Sequence, residues 1–115
     1  GAVRAIPNYN TMGVAKASLE AIIRYTAQAL GKDNIRCNGI SAGPIKTLAA
    51  AGISGFNTAL KMAATQSLLK RNVTAEEIGQ IAAFLFSDLS SAITAEVIYA
   101  DAGYSHSVFP TPNGF

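Results

Sequence analysis

Two short apolar runs, Ile35-Arg36-Cys37-Asn38-Gly39-Ile40-Ser41 and Glu96-Val97-Ile98-Tyr99-Ala100-Asp101, are separated by a long stretch with helical patterning. This arrangement constrains the fold more than any other feature. Strands joined through helices pair in parallel, with a right-handed crossover. Both runs read as continuous apolar segments, as expected where helices cover both faces of a sheet. The expected class is α/β, part of a doubly wound parallel sheet, with two strands plus helices in this chain. Two strands alone make a marginal sheet. Further strands are therefore expected from sequence N-terminal to Gly1.

The helices can be read from spacing and punctuation. Met12, Ala15, Leu19, Ile22, Ile23, Thr26 and Leu30 recur at helical intervals, predicting a helix from about Met12 to Leu30. Alanines at 15, 17, 21, 27 and 29 favour it intrinsically, and Gly31 is a natural stop. Gly43-Pro44 ends the first strand. The Ala-rich stretch from Leu48 to about Leu69 is broken by Gly52 and Gly55, which predicts two short helices around a flexible segment. Thr74-Ala75-Glu76-Glu77 is a capping box opening the next helix, whose apolar face is Ile78, Ile81, Ala82, Leu85 and Phe86. Gly103 turns the chain after the second strand. Residues 1–107 are expected to form half of a single domain, and 108–115, with Pro110, Pro112 and Gly114, an irregular tail.

Composition narrows the function classes. Half of the 115 residues are hydrophobic and 14% are charged, too apolar for a disordered chain. That is also apolar for a small free-standing domain, so burial against a partner or within something larger is expected. The nine basic residues are scattered and aromatics are few, which argues against nucleic-acid binding. No apolar run is long enough to span a membrane. The opening Gly1-Ala2-Val3-Arg4-Ala5-Ile6-Pro7 lacks the pattern of a signal peptide. A single cysteine, Cys37, excludes an internal disulfide and fits a reducing cytoplasm; within a strand it reads as core filler. The single histidine, His106, has no second ligand to make a zinc site, and no metal is expected.

Two groups of residues carry chemistry. Tyr9 and Lys16 are seven positions apart, almost two helical turns, so a helix that includes Tyr9 puts both on one face. A tyrosine hydroxyl is a neutral hydrogen-bond donor at pH 7, and a nearby ammonium strengthens it. On spacing alone, such a pair is more often an ordinary surface pair. Ser41-Ala42-Gly43-Pro44-Ile45-Lys46-Thr47 follows the first strand directly. Ligands in open α/β sheets bind beyond the carboxyl ends of strands, and backbone amides after a stiff Gly-Pro turn can hold phosphate or carboxamide groups. Without the tyrosine helix, an ordinary strand-exit turn is the preferred reading.

Taken together, the order of these motifs resembles the short-chain dehydrogenase/reductase superfamily, whose fold is Rossmann-like. The order is a Tyr-x6-Lys helix, a strand, Ser-Ala-Gly-Pro-Ile-x-Thr, an Ala-rich helix, a capped helix, and a strand ending in Asp-x-Gly. Ordinary members space Tyr and Lys four apart; here that position is Gly13. The seven-residue spacing, with Ile6-Pro7-Asn8-Tyr9-Asn10 before it and Thr47-Leu48-Ala49-Ala50 after, is similar to the NADH-dependent enoyl-acyl-carrier-protein reductases. The resemblance runs from Gly1 to about Ser105.

The resemblance implies roles. NADH would deliver hydride to a trans-2-enoyl thioester carried on acyl carrier protein. Tyr9 would stabilise the developing enolate, and Lys16 would bind the nicotinamide-ribose hydroxyls. Gly43, Pro44, Ile45, Lys46, Thr47, Leu48 and Ala49 would line the cofactor, with Ile45 at the carboxamide and Thr47 near the pyrophosphate. Tyr9, Met12, Ala49, Ile53 and Phe56 would contact the acyl substrate under a mobile flap at Gly52–Leu60. A homotetramer is implied, with Lys46, Lys61, Lys70 and Arg71 as candidates for a basic docking rim. The family's glycine-rich turn for the adenosine end, and a second active-site tyrosine, have no counterpart among these residues and are expected before Gly1. This chain alone is expected to be inactive. Two other readings remain: a 3-oxoacyl-carrier-protein ketoreductase, against which Gly13 argues, and a non-catalytic assembly domain of the same fold.

Overall fold

The computed structural model describes residues 1–48, 52 and 54–107. Among the described residues, three helices and two strands dominate: α1 (Asn10–Leu30), β1 (Gly39–Ala42), α2 (Phe56–Gln66), α3 (Ala75–Phe86) and β2 (Val97–Ala100). Short 3-10 turns occupy Gly31–Asp33, Asp88–Ser90 and Tyr104–His106. β1 and β2 are hydrogen-bonded neighbours in a two-stranded sheet. The Gly39 amide donates to Glu96 O at 2.8 Å and the Gly43 amide to Ala100 O at 3.0 Å. Both strands advance together between these bonds, so the pairing is parallel, as the long helical crossover requires.

By density of internal contacts the chain divides into two compact units, Gly1–Gly39 with Phe84–Ile98, and Ile40–Ala83 with Tyr99–Phe115. The first is organised by α1. Pro7 and Asn8 are the central residues of a turn closed by the Tyr9 amide on Ile6 O, with Asn8 in the left-handed region at φ 62°. Proline second and asparagine third are residues such a turn favours. The turn delivers the chain to Tyr9, the N-cap of α1, whose carbonyl accepts from the Gly13 amide at 2.7 Å. The helix thus starts two residues before the position spacing predicts. It ends at Leu30, as predicted, but not by the expected device. Gly31 stays right-handed at φ −60° and opens a 3-10 turn, and the left-handed residue is Asn34 at φ 58°.

Of the predicted apolar face of α1, Ile23 is buried, together with Ala27 one turn on. Gly39 at the start of β1 makes room for it: a Cβ there would lie 2.6 Å from Ile23 Cδ1. Met12, Leu19 and Ile22 remain roughly half exposed. Two four-residue strands offer too little sheet to cover a helix of 21 residues.

The predicted strand from Ile35 shortens to Gly39–Ala42 because the residues before it are bonded through side chains. Arg36 donates to Leu85 O at 2.7 Å, Ile93 O at 3.1 Å and Ser87 O at 3.3 Å. Asn38 donates from Nδ2 to Ile93 O at 2.9 Å and accepts at Oδ1 from the Glu96 amide at 3.1 Å. The Cys37 amide donates to Thr94 Oγ1, and Cys37 O accepts from the Ala95 amide. Cys37 is a free, half-buried thiol just ahead of the strand rather than within it. Leu85 lies in the last turn of α3, where helix carbonyls lack intrahelical partners. Arg36 supplies the missing donors and a positive charge at the negative end of the helix.

In the second unit the capping box forms as read. The Glu77 amide donates to Thr74 Oγ1 at 3.2 Å, and the Thr74 amide donates to Glu77 Oε2 at 2.9 Å. Arg71 completes it with a forked pair on Glu77, at 2.7 and 3.0 Å. The Arg71 hydrogen bonds come first, then the Thr74 amide, in holding the Glu77 carboxyl down at about 2. The same contacts raise the Arg71 guanidinium above its ordinary value. Ser67 is fully buried, donates to Arg71 O and accepts from the Arg71 amide, joining the end of α2 to the approach of α3. Gly103 turns the chain at φ 81°, and a Cβ there would strike the Leu68 side chain at 2.8 Å. Among the described residues no helix is long and apolar enough to cross a membrane.

Candidate active site

Tyr9, Met12 and Lys16 sit on the first unit. Tyr9 is half-buried; Met12 and Lys16 are exposed. The Ile6–Tyr9 turn and the Tyr9–Gly13 backbone bond fix where the tyrosine leaves the chain. Tyr9 is the N-cap of α1 rather than a residue of the helix body, so the expectation of one face shared with Lys16, which required Tyr9 to be helical, does not follow from helix geometry. The backbone of Gly1 lies against the Tyr9 ring, where a Cβ on Gly1 would collide with the ring edge. An open groove of about 480 Å³ runs between residues 1–6 and the first two turns of α1, with Tyr9, Gly13 and Ala17 on its wall.

Gly13 stands four positions after Tyr9, where the resemblance leads one to look for a lysine. A Cβ built there would lie 3.0 Å from the Gly1 carbonyl oxygen and 3.8 Å from the Tyr9 ring. A side chain at Gly13 would be tight against that backbone, and Lys16 is the first lysine after Tyr9 along the helix.

Gly43, Pro44, Ile45, Lys46, Thr47 and Leu48 sit in the second unit, leaving the carboxyl end of β1. Gly43, Pro44 and Ile45 are half-buried; Lys46, Thr47 and Leu48 are exposed. The segment contains no acidic residue and carries one lysine and one threonine hydroxyl, a donor set that fits an anionic dinucleotide. Gly43 is pinned by its amide bond to Ala100 O and approaches the opposite strand so closely that a Cβ would meet Asp101 Cα at 3.1 Å. Phe56, half-buried, opens α2 directly after Gly55, which is left-handed at φ 76°. Residues 56–60 of the expected flap are helical here. Ala49 and Ile53, read as cofactor and substrate contacts, lie outside the described residues, as does the tail at 108–115.

Of the four basic residues considered for docking, Arg71 is engaged by Glu77, and Lys70 donates to Thr65 O at 3.1 Å. Lys46 and Lys61 are exposed. His106 packs edge-on against the Tyr99 ring, with centroids 5.9 Å apart. No group of three or more His, Cys, Asp or Glu able to hold a metal occurs among the described residues.

Three residues that the sequence reading left without a role are structurally prominent. Arg36 and Asn38 tie the amino ends of the strands, and Asp101 ties the turn after β2. The Asp101 carboxylate accepts from the Gly103 amide at 3.0 Å and the Ser105 amide at 2.9 Å. Burial acts most strongly on this carboxyl, pushing it up. Hydrogen bonds from the side chain and amide of Ser105 and the amide of Gly103 outweigh it, so the group sits below its ordinary value. An Asp two residues before a Gly at the end of a strand was a visible signal, because short carboxylates there close turns on their own backbone.

The chain is similar to known proteins in both sequence and fold. The family model described as "Enoyl-(Acyl carrier protein) reductase" matches residues 1–105. The chain is 66% identical over 111 residues to the NADH enoyl-[acyl-carrier-protein] reductase of Neisseria meningitidis serogroup B, covering 96% of this chain and 42% of the relative. It is 55% identical over 105 residues to the corresponding NADH enzyme of Escherichia coli, covering 91% and 40%. The fold superposes on the crystal structure of the Bacillus cereus enoyl-acyl carrier protein reductase with NADP+ and an indole naphthyridinone at a TM-score of 0.87, with 50% identity, covering 92% of this chain and 41% of that one. The chain therefore spans about two-fifths of the length of the relatives it matches. By sequence and by fold, it belongs to the enoyl-(acyl carrier protein) reductase family.

Proposed function

We propose that this chain supplies the carboxyl-terminal part of an NADH-dependent enoyl-[acyl-carrier-protein] reductase, which reduces the trans-2 double bond of enoyl thioesters during fatty-acid elongation. The observation that carries this reading is the setting of Tyr9. The Pro7–Asn8 turn fixes it at the head of α1, a Cβ at Gly13 would be tight against the Gly1 carbonyl, and Lys16 follows nearly two turns on. The Neisseria and Escherichia relatives, both named as NADH enzymes, support the choice of cofactor.

In this reading bound NADH supplies the hydride that adds to C3 of the enoyl thioester. The electron pair of the double bond moves toward the thioester oxygen, and C2 takes a proton from water as the enolate collapses. Tyr9 donates a hydrogen bond to that oxygen, a contact that strengthens as negative charge gathers there. Lys16 holds the nicotinamide-ribose hydroxyls and places a positive charge near the developing anion. Ile45 flanks the carboxamide, and Gly43, Pro44, Lys46, Thr47, Leu48 and Ala49 follow the dinucleotide, with Thr47 at the pyrophosphate. Met12, Ala49, Ile53 and Phe56 are the residues assigned to the acyl chain, and Gly52–Leu60 is the segment assigned to cover it. The complete enzyme is a cytoplasmic homotetramer that receives its substrate from acyl carrier protein, with exposed Lys46 and Lys61 available to that acidic partner.

The test follows NADH oxidation with a crotonyl thioester, in a protein that joins this chain to the portion of its relatives it does not span. Tyr9→Phe should lower kcat about a hundredfold, the scale of losing one oxyanion donor. Lys16→Ala should lower kcat and also raise KM for NADH. Turnover untouched by both substitutions sinks the assigned roles, and reduction of an acetoacetyl thioester in place of the crotonyl thioester moves the protein to the ketoreductases.

A further inference from the structure

We propose that Asp101 is a positioning residue for the loop Gly43–Thr47, holding the backbone against which Gly43 rests; this builds on the reading of that loop as the dinucleotide holder. The case is geometric and lies within one unit of the chain. Gly43 and Asp101 stand at the carboxyl ends of paired strands, where Gly43 N bonds Ala100 O at 3.0 Å. A Cβ on Gly43 would lie 3.1 Å from Asp101 Cα and 3.3 Å from its Cβ, and 3.5 Å from Val73 Cγ2. The glycine is therefore pressed against the Asp101 backbone with almost no clearance. The position of that backbone sets how far the loop can sink.

Asp101 in turn is locked by its own side chain. Its two carboxylate oxygens accept from the Gly103 and Ser105 amides, at 3.0 and 2.9 Å. Its carbonyl accepts from the Tyr104 amide at 3.1 Å. The turn so closed includes Ala102 and Gly103, both left-handed, at φ 56° and 81°. The Ala102 carbonyl accepts from the Leu69 amide, and Gly103 packs on Leu68, which anchors the turn to the end of α2. A carboxylate that satisfies two amides keeps this turn in one shape. Without it, the two left-handed residues would have alternatives, and the backbone under Gly43 would shift. The expected result is a cofactor loop that still forms but no longer presents its amides at a fixed distance. Loss of that kind appears in cofactor binding rather than in the chemistry at Tyr9.

Asp101→Ala should raise KM for NADH about tenfold, the scale of losing charge-assisted hydrogen bonds, with kcat within about twofold of wild type. Asp101→Asn keeps one acceptor oxygen for one of the two amides and should recover part of the loss; it also serves if the alanine variant folds poorly. Gly43→Ala presses on the same backbone from the other side. Combined with Asp101→Ala, it should raise KM by less than the product of the two single effects, because a loosened turn can yield to the added methyl. A KM for NADH unchanged in Asp101→Ala overturns the proposal. So does a fall in kcat alone, an asparagine variant no better than alanine, or strictly multiplicative single effects. Fluorescence titration of NADH on the same joined protein reads the loop without turnover. A wild type that binds NADH but does not reduce crotonyl thioester defeats the functional reading, while the titration of Asp101→Ala still decides the role of Asp101.

Discussion

The two ends of the strand pair use polar side chains in opposite ways. At the amino ends, Arg36, Asn38 and Thr94 are turned onto backbone groups of the chain itself, at Leu85, Ser87, Ile93, Glu96 and Cys37. At the carboxyl ends, a single carboxylate, Asp101, closes its own turn, and the loop beyond Gly43 keeps exposed groups at Lys46, Thr47 and Leu48. One end is tied by side chains onto distant backbone, and the other carries exposed residues beyond a glycine. In an open α/β sheet the carboxyl ends are where ligands bind, and with the proposed role of the Gly43–Thr47 loop the contrast divides stability from function between the two ends.

The largest expected effect tests the tied end. Arg36→Ala removes donors from three carbonyls and leaves the Leu85 carbonyl at the end of α3 without its charged partner. The cost should be about 2–3 kcal/mol by urea unfolding of the joined protein. Arg36→Lys should recover less than half of it, since one ammonium cannot fork to three acceptors. KM for NADH should not move in either variant, in contrast to the Asp101 variants; a shift there would erase the division between the ends.

Acid should separate the ends next. The bonds of Arg36, Asn38 and Thr94 involve no carboxylate, whereas Asp101 holds the other end through one. Its carboxyl lies below the ordinary value in the folded chain, so its contribution is complete above the unfolded value and fades as pH falls through the lower, folded one. Hydrogen-exchange protection at Gly103 and Ser105 should therefore decline below about pH 4 before protection at Glu96 does. Simultaneous loss at both ends would show that the carboxylate does not govern its turn.

The smallest effect concerns Ala102, a left-handed alanine at φ 56° in the Asp101 turn. Ala102→Gly relieves a steric cost of about 1 kcal/mol but gives back part of it as backbone entropy. A net gain of about 0.5 kcal/mol in thermal unfolding is expected. A loss would show that the buried Ala102 methyl contributes more by packing than it costs in strain.

Local signals in the sequence carried over well. The Thr74–Glu77 box, the stop at Gly43-Pro44, the turn at Gly103 and the span of α1 all follow from residues that act on their immediate neighbours. The start of β1 did not, because what shortens it is non-local. Arg36, Cys37 and Asn38 look like strand residues until their partners at Leu85–Glu96 are known. The same holds for the site. Tyr9, Lys16 and the Gly43–Thr47 loop were proposed from spacing and resemblance, but the tight approach of Gly13 to the Gly1 backbone and of Gly43 to Asp101 needed three dimensions. Apolar periodicity on α1 marked a helix correctly. It marked its buried face only in part, since burial depends on how much sheet is present.

The clamp at Arg36 and Asn38 has a consequence in time as well as in stability. Its bonds join residues 49 to 58 positions apart in the chain. Closing a loop of that size sacrifices chain entropy before any strand hydrogen bond forms. α1 and the capped head of α3 can form from nearby residues alone, but the strand pair cannot. Assembly should therefore be limited by the meeting of the two distant strand segments, the step that non-local topologies make slow.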